Sequence, residues 1–530
     1  LVAAVAVGVV GAATLTTGVT HATFTEATSS AVALTAGSVV VSDDDGGSAV
    51  LDVQGLLPGA TGQKCLTVTF TGSVRARVPF WVSASSGSLA PYVNLTVLEG
   101  RGGSAASCTG FVADRVAFTG TLGQLAARLT GPATGGGTFA PTTSGQTRTY
   151  QFVYTLAGTV PAAQQGQAAS ITLRWDSQQA DVVVPAGTGA NDDGQLGVGD
   201  TAQHLTLTSV APTTTTWSQV SAGAERSCGV QGDGSLWCWG RGDQGYVGDG
   251  GRTDRTSPVR IGSATTWADV SVGMGNTCAL STSGTLSCWG LGWGGNGDGT
   301  NTFRDTPVPV VDAGPWRAVS VGHSTTCGIK VTGTLWCWGA NANGQVGNGT
   351  NQAVYAPVQV GDPSWTWSSV SAGGWHACAV RSDHTLWCWG FNAGNGVGDG
   401  SGTDQWSPVQ IGTARLWAVA GLGSYQSCAV ALDGSLWCWG GWGLGFGSTP
   451  GRIGTGTAWA TVTGGDDFYC GTQQDRTLWC ARGNGYGQLG TGDTASQPAP
   501  VQVATGIAQV AAGRISGEHT IALPWPAATP

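Results

Sequence analysis

The stretch that decides the fold is residues 227–240, Ser-Cys-Gly-Val-Gln-Gly-Asp-Gly-Ser-Leu-Trp-Cys-Trp-Gly. Related stretches recur five more times, and the second cysteine of each lies 42 to 51 residues after the one before it. A period near fifty residues indicates a repeat architecture, in which one unit cannot bury its apolar face alone. The six cysteine pairs share one spacing of ten residues: Cys228 with Cys238, Cys278 with Cys288, Cys327 with Cys337, Cys378 with Cys388, Cys428 with Cys438, and Cys470 with Cys480.

Each repeat is a series of short apolar segments bounded by Gly, Asp, Asn or Pro. The first unit opens with Trp217-Ser-Gln-Val-Ser-Ala-Gly223. Related openings follow at Trp267, Trp316, Trp367, Trp417, Trp459 and Ile507. Segments of about four to six residues between turn residues predict β-strands and leave no room for a long helix. Four such strands in each of seven units predict an all-β fold, a seven-bladed β-propeller.

The cysteine spacing predicts a disulfide inside each unit. Asp233-Gly234 and Asp433-Gly434 are hairpin-turn sequences, and each lies midway between two cysteines. An antiparallel hairpin centred on such a turn places the two sulfurs opposite each other. Zinc sites usually bring cysteines roughly two to four residues apart together with further Cys or His ligands, and that pattern is missing here. Disulfides formed in an oxidising compartment are therefore the better interpretation.

The order of motifs in each unit resembles the repeat of the regulator of chromosome condensation family, whose fold is a seven-bladed β-propeller. The shared elements are Val-x-Ala-Gly, Cys-Ala-Val/Leu, Asp-Gly-x-Leu-Trp-Cys-Trp-Gly and the loop sequence from Asn341 to Gly347. The resemblance covers about residues 187–523. The additional Cys and Trp residues resemble secreted bacterial members rather than the nuclear members, which exchange nucleotide on a small GTPase. Secreted relatives include a β-lactamase inhibitor, which implies that the fold can block an enzyme.

The two ends of the repeat region together predict the seventh blade. The last unit supplies only its first two strands before the repeat stops. Upstream, Gly189–Gly197 matches the loop Gly339–Gly347, and Asp181–Val184 is interpreted as the strand before it. Ile521 stands where the other units have their first cysteine, so no disulfide is predicted in this blade. The propeller is therefore predicted to span residues 181–526.

The N-terminal third differs in composition from the repeats. Residues 1–22 include an uncharged apolar stretch that resembles a secretory signal peptide, and a buried strand or helix is the alternative. Residues 23–180 are rich in Thr, Val, Ala and Ser. Alternating segments such as Leu66–Phe70 predict a jelly-roll-like β-sandwich there. Cys65 and Cys108 are interpreted as one disulfide across it.

This N-terminal region resembles the TasA/camelysin family, secreted jelly-roll-like proteins found on bacterial surfaces and in biofilm fibres. The motifs that carry the resemblance are Ala22–Thr25, Leu34–Val41 and Leu56–Gly59. The resemblance implies that the first strand after signal cleavage can add to the sheet edge of a neighbouring molecule. Self-assembly through this domain is therefore one expectation.

The composition excludes several classes of function. The chain has 31 acidic and 22 basic residues, a net charge of -9 and no basic run, which argues against nucleic-acid binding. No later segment offers about 18 consecutive apolar residues, so no membrane span is predicted in the mature chain. The six His residues form no metalloprotease or hydrolase motif, and Asp/Gly loops such as 296–301 lack EF-hand spacing. We therefore expect no catalytic residue, cofactor or metal site, and no enzymatic activity.

The candidate binding residues lie in loops that depart from the repeat. In a four-stranded blade the loops after the first and third strands emerge on one face, where exposed aromatic side chains are frequent interface anchors. The partner-binding candidates are Trp375, His376, Tyr425, Phe468, Tyr469, Trp293, Phe391, Trp442 and Phe446. Glu225, Met274, His323 and Asp467 occupy the same loops. A surface that only keeps the protein soluble is the alternative interpretation.

Together these features predict a secreted or cell-surface, non-enzymatic scaffold whose propeller loops recognise an extracellular protein. A structural alternative is a surface-fibre or biofilm-matrix component that displays the propeller. A guanine-nucleotide exchange factor is a further alternative that export and the disulfides disfavour. An enzyme would need a pocket that holds paired carboxylates and a His near the propeller axis.

Overall fold

A computed structural model describes residues 57–71, 75–131, 134–141, 144–164, 167–175, 182–211, 215–312, 314–441, 443–514 and 517–526, with the short strands 19–20, 41–43, 51–53 and 178–179. The predicted signal segment therefore lies outside the described residues, apart from Val19–Thr20. In these ranges the regular secondary structure is almost entirely β-strand, and the one α-helix is Leu122–Arg128. No described helix has the length and apolar character needed to cross a membrane.

Among the described residues, the N-terminal region has two main sheets around one apolar core. The larger sheet has the strand order Val19–Thr20, Val41–Asp43, Thr61–Phe70, Thr147–Leu156, Val93–Arg101, Val112–Thr121. The smaller sheet has the order Leu51–Val53, Ala169–Trp175, Phe80–Ser86, and Ala76–Arg77 pairs separately with Gln178–Gln179. Short 3-10 helices cover Ala90–Tyr92 and Ala162–Gln164. Leu66, Phe152, Phe80 and Leu173 bring the two sheets into one core. Cys65 and Cys108 form a disulfide, as predicted.

The rest of the described chain forms seven four-stranded antiparallel sheets. We number them 1 to 7 and give their strands from the innermost outward. The first strands are Trp217–Ala222, Trp267–Val272, Trp316–Val321, Trp367–Ala372, Trp417–Leu422, Thr463–Gly464 and Ile507–Ala512. The second strands are Arg226–Gln231, Asn276–Ser281, Thr325–Lys330, His376–Arg381, Gln426–Ala431, Phe468–Thr472 and His519–Pro524. The third strands are Leu236–Gly240, Leu286–Gly290, Leu335–Gly339, Leu386–Gly390, Leu436–Gly440, Leu478–Arg482 and Ala186–Gly189. The fourth strands are Arg255–Arg260, Arg304–Pro309, Val354–Gln359, Gln405–Ile411, Gly451–Ile453, Gln497–Ala504 and His204–Ser209.

The Asp-Gly-Ser-Leu-Trp sequence forms the turn between the second and third strands of a sheet. In sheet 1 the Asp233 carboxylate accepts hydrogen bonds from the Ser235 amide at 2.9 Å and from its hydroxyl at 2.6 Å. The same hydroxyl accepts the indole N–H of Trp237 at 2.8 Å. Gly234 has φ +79°, a conformation that costs glycine nothing. The pairing Val230↔Leu236 confirms the predicted hairpin.

The two tryptophans of each Trp-Cys-Trp strand have different environments. Trp239 is fully buried and donates its indole N–H to the carbonyl of Gln195 in sheet 7 at 2.9 Å. Trp389 does the same to Gln345 of sheet 3 at 3.0 Å. Gly347 (φ +79°) lies against this indole, where a Cβ atom would come within 2.6 Å of the ring nitrogen. The second tryptophan of each pair therefore joins neighbouring sheets.

The six disulfides with ten-residue spacing each join directly opposite residues of the second and third strands, which is the pairing that the sequence predicted. Their Cα atoms are 4.0 to 4.1 Å apart. These bonds cross-link strands within a sheet, whereas contacts between sheets are non-covalent: side-chain hydrogen bonds and apolar packing. The bonds join Cys228 to Cys238, Cys278 to Cys288, Cys327 to Cys337, Cys378 to Cys388, Cys428 to Cys438, and Cys470 to Cys480.

Sheet 7 is built from both ends of the repeat region. Its outer strands lie at 186–189 and 204–209, and its inner strands at 507–512 and 519–524. The pairing Gly187↔Ile521 joins the two halves, and the first strand of sheet 1 contacts the inner strands of sheet 7, which completes a ring. The strand predicted at Asp181–Val184 is wrong, because the strand is Ala186–Gly189. Val183 instead accepts the Trp217 amide through its carbonyl and is buried beside that indole.

The N-terminal region packs against one face of this ring. We call it the turn face, because it carries the turns between second and third strands. The Thr96 hydroxyl donates to the Leu432 carbonyl at 2.7 Å, the Val116 amide to Ala460 at 2.8 Å, and Arg476 to Gly137 at 2.8 Å. Apolar side chains from the region and from sheets 5 and 6 share one core. The turn face is therefore partly covered.

Candidate partner-binding face

The opposite side of the ring carries the loops after first and third strands, and we call it the loop face. In sheet 1 these loops are 223–225 and 241–254. The contacts described above between the N-terminal region and the ring all lie on the turn face. The accessibility of the predicted partner-binding residues is therefore compared on the loop face.

The nine predicted partner-binding residues differ in accessibility. Trp293 is 51% exposed. Four more are partly buried on the loop face: Trp375, Tyr425, Phe391 and Phe446. His376, Phe468 and Tyr469 are buried, which corrects the expectation that they are open to a partner. Trp442 lies outside the described residues.

Strand alternation explains the buried group. A side chain two positions before the first cysteine points toward the following sheet, and the next one points toward the preceding sheet. Phe468 accordingly packs with Ile507 and Ala512 of sheet 7, and Tyr469 packs against sheet 5, beside Phe446. These positions begin the second strand and do not belong to the preceding loop.

Two histidines at this strand position join neighbouring sheets. The Ser427 hydroxyl donates to the Gly396 carbonyl at 2.7 Å and accepts Nε2–H of His376 at 2.8 Å. His519 makes the same contact with Ser227 at 2.9 Å. Since each Ser hydroxyl donates its hydrogen to a carbonyl, Nε2 of each ring must carry the proton of this contact. Burial lowers the pKa of His376 to about 4 and that of His519 to about 3. Their role in this structure is to hold sheets together.

We expect these two histidines to destabilise the protein in acid. Below pH ~6.5 the unfolded chain binds protons that the folded rings exclude, so the free energy of unfolding falls toward pH 4. His376→Gln/His519→Gln should still fold, since Gln426 occupies this position in sheet 5 and donates there to the carbonyls of Gly465 and Phe468 in the following sheet. Between pH 7 and 5, the free energy of unfolding should fall by roughly 2 to 4 kcal/mol less in the variant than in the parent, as measured by urea unfolding. Carboxyl groups with a raised pKa stabilise the folded state in acid, but they are the same in both proteins. If the free energy of unfolding depended on pH equally in variant and parent, the two histidines would not be the cause of the acid sensitivity.

An aromatic cluster occupies the loop face over sheets 2 to 5. The rings of His323 and Trp375 stack with centroids 4.3 Å apart. Trp293 lies parallel to His323 with centroids 6.2 Å apart. Phe391 and Tyr425 meet edge to face at 5.9 Å. His323 was not among the sequence-predicted binding residues, although it occupies the same loops, and it links the two tryptophans.

Carboxylates occupy the loop face over sheets 6, 7 and 1. Burial together with Asp467 and Asp466 raises the pKa of Glu518 to about 7. Burial and the neighbouring Asp466 also raise the pKa of Asp467. Gln488 donates to Glu518, and Arg241 forms an ion pair with Glu225. The repeat pattern already places Glu225 and Asp467 in these loops; comparing the loop after the first strand in every unit would also have singled out Asp466 and Glu518, because the loops of sheets 2 to 5 have no acid there.

Arg514 lies in the loop after the first strand of sheet 7. Its guanidinium donates to the carbonyls of Val321, at 3.2 Å, and Ala372, at 2.5 Å, which end the first strands of sheets 3 and 4. The side chain therefore spans the ring near its axis. No group of three or more His, Cys, Asp or Glu side chains suited to a metal ion occurs in the part of the chain that the structure describes.

Comparisons with known proteins agree on the type of repeat. Residues 233–280, 332–380 and 483–523 match a model of the regulator of chromosome condensation (RCC1) repeat. A second model of this repeat matches residues 217–245, 316–345 and 367–396. The ultraviolet-B receptor UVR8 of Arabidopsis thaliana is 28% identical over 225 residues, 42% of this chain and 40% of that protein. The chain thus matches less than half the length of this relative.

Solved structures show the same fold at low sequence identity. Prp20p of Saccharomyces cerevisiae, described with its binding to Gsp1p and histones, aligns with TM-score 0.59 and 15% identity over 66% of this chain and 93% of that one. Human WBSCR16 aligns with TM-score 0.58 and 17% identity over 65% and 99%. A third structure, Kap60 bound to yeast RCC1, aligns with TM-score 0.57. This chain therefore contains regulator of chromosome condensation repeats, which fold as a β-propeller.

Proposed function

We propose that the protein is a secreted, non-enzymatic scaffold whose seven-bladed propeller binds an extracellular protein through its loop face. In this proposal the N-terminal region is a sandwich domain that supports the ring from the turn face. The observation that carries the proposal is the stack of Trp293, His323 and Trp375. Large aromatic side chains that remain exposed are costly to solvate and are frequent anchors of protein interfaces.

The difference in accessibility between the two faces supports this proposal. The N-terminal region buries apolar and polar groups on the turn face, including Val116 and Thr96. The loop face keeps Trp293 half exposed and leaves its neighbours partly accessible. Yeast Prp20p, a structural relative, is described with protein partners. A binding role on the loop face therefore fits both the packing and the fold.

The cysteines support export. All 14 are paired in seven disulfides, and none is free. Disulfides persist in oxidising compartments and are rare where thiol reductants are abundant. An extracellular or cell-surface location is therefore part of the proposal.

Capture of extracellular proteins by the intact chain tests the proposed face. We expect Trp293→Ala/Trp375→Ala to lower recovery of a specific partner by at least about tenfold, because truncating interface anchors commonly costs ~2 kcal/mol or more. The matched control is Trp406→Ala, which removes a tryptophan that is 44% exposed on an outer strand. Thermal unfolding should be similar for all three proteins. Equal recovery by the parent and the loop-face variant would contradict the proposal.

A further inference from the structure

The loop face is divided into two parts by the residues that follow each first strand. We call Met274, His323, Trp375 and Tyr425, with Trp293, the aromatic arc; they belong to sheets 2 to 5. We call Asp466, Asp467, Glu518 and Glu225 the acidic arc; they belong to sheets 6, 7 and 1. The framework residues repeat around the ring, whereas these loop residues change from acidic to aromatic. The loop face therefore has an aromatic part and an acidic part.

We propose that the loop face binds a protein segment that carries arginine side chains, with a guanidinium stacked on the aromatic arc and neighbouring cations at the acidic arc. The inference rests on the proposed binding role of this face and specifies the chemistry of the partner. Two independent features of the surface support it: the geometry of the indoles and the sign of the charge beside them.

The aromatic arc fits a guanidinium better than it fits an ammonium group. Arginine is planar and weakly hydrated, and it stacks on indole faces through cation–π attraction. The loop face already contains such pairs: the Arg226 guanidinium lies 4.7 Å from the Tyr246 ring centroid, and Arg482 lies 4.5 Å from Phe446. Trp293 is half exposed and can accept a further guanidinium.

The acidic arc supplies the complementary charge. The side-chain amide of Gln488 lies between sheets 6 and 7: it donates to Glu518 and is 3.5 Å from the Asp467 carboxylate, with Asp466 next in the chain. Arg514 on the same loop is directed at the carbonyls of Val321 and Ala372. Carboxylates held this close repel one another, and a cation from a partner would relieve that repulsion. Glu225 is already paired with Arg241, so the charge offered to a partner comes mainly from Asp466, Asp467 and Glu518. Because these acids belong to two sheets, a chain with more than one cation matches them.

Binding should therefore release protons and weaken in acid. Crowding and burial favour the protonated carboxyl groups, whereas a bound cation favours the ionised ones. As the pH falls through the raised pKa values of Glu518 and Asp467, the acids become neutral and the attraction is lost. Two other groups would act in the same direction: His323, and Asp193, whose pKa burial and the neighbouring Glu225 raise to about 6. The acids Glu518 and Asp467 must therefore be tested by substitution while both of these are kept.

The test uses the full chain and three synthetic peptides. They alternate Gly with Arg, with Lys, or with citrulline, a neutral analogue of arginine. Calorimetry at pH 8 should show binding of the Arg peptide, about threefold weaker binding of the Lys peptide, and at least about tenfold weaker binding of the citrulline peptide. Affinity for the Arg peptide should fall about tenfold between pH 8 and 5.5.

Substitutions in each arc separate its contribution to peptide binding from that of the other arc. Trp293→Ala/Trp375→Ala should abolish the preference for Arg over Lys. Glu518→Gln/Asp467→Asn should weaken both cationic peptides about tenfold and remove most of the pH response. Asp362→Asn, an exposed acid beyond the fourth strand of sheet 3 on the turn face, is the matched control and should change neither property.

Two outcomes would overturn the inference. They are equal binding of the Arg and citrulline peptides, and an Arg peptide whose binding survives substitution of both arcs. If either occurs while capture of an extracellular protein still depends on Trp293 and Trp375, the proposed binding role stands and the partner chemistry is wrong. If neither Arg-peptide binding nor capture of an extracellular protein depends on these loop residues, the loop face is not the binding surface.

Discussion

Gly187→Cys/Ile521→Cys should form a seventh disulfide in the ring and raise the free energy of unfolding by roughly 3 to 5 kcal/mol. The two residues are directly opposite in the shared sheet, as the cysteines are in the other six sheets. A Cβ atom on Gly187 would lie 2.9 Å from an Ile521 methyl group, which the second substitution removes, and 3.1 Å from a Leu196 methyl group, which must shift slightly. The new bond would close a loop of about 330 residues, for which the chain-entropy model gives nearly 6 kcal/mol before the loss of Ile521 packing.

Guanidinium unfolding of the oxidised double variant measures this effect. The single variant Ile521→Cys is the control, because it loses the isoleucine packing without gaining a bond. Mass spectrometry after nonreducing digestion should recover a peptide that contains both new cysteines. An oxidised double variant no more stable than the single one would show that opening of the shared sheet does not limit unfolding.

Trp389→Ala should cost about 3 to 5 kcal/mol, whereas Trp387→Ala should cost much less. Trp389 is fully buried between sheets 3 and 4, and its loss leaves a cavity and an unpaired Gln345 carbonyl. Trp387 lies two residues away on the same strand, in a different environment. It is partly exposed and packs against Trp365 with ring centroids 4.7 Å apart and the ring planes tilted by 44°.

Urea unfolding of the two variants under identical conditions gives the comparison. Both substitutions remove one indole from the same strand, so differences in β-propensity and unfolded-state effects largely cancel. Equal destabilisation would mean that the fully buried indole contributes no more than the partly exposed one. Trp389→Phe should recover part of the loss, because it refills most of the cavity without restoring the hydrogen bond.

Local features of the repeat were predictable because their causes are local. The turn at Asp233-Gly234 follows from a side chain that bonds its own backbone and from a glycine at positive φ. That turn sets the register which places Cys228 opposite Cys238. The predicted strand at Asp181–Val184 failed because an apolar run is equally compatible with a buried, non-strand segment. In the structure Val183 packs against Trp217 from outside the sheet.

The candidate site was predictable only in part. Loop position correctly indicated Trp293 as an exposed aromatic residue, but it misplaced His376, Phe468 and Tyr469 by treating the first residues of a strand as loop. The contact between His323 and Trp375 joins residues from adjacent units 52 positions apart, so no local pattern reports it. The crowding of Glu518 with Asp467 likewise depends on two different sheets.

The sequence by itself determined the repeat, the hairpins, the cysteine register and the use of both ends of the repeat region in one sheet. Each of these depends on residues close in the chain or on matching one unit against another. Tertiary structure alone decided which loop residues remain accessible, which carboxylates share a neighbourhood, and that the N-terminal region covers the turn face rather than the loop face. The physical reason is that accessibility and charge crowding depend on distances between sheets, and those distances are set by how the ring closes and by what packs against it.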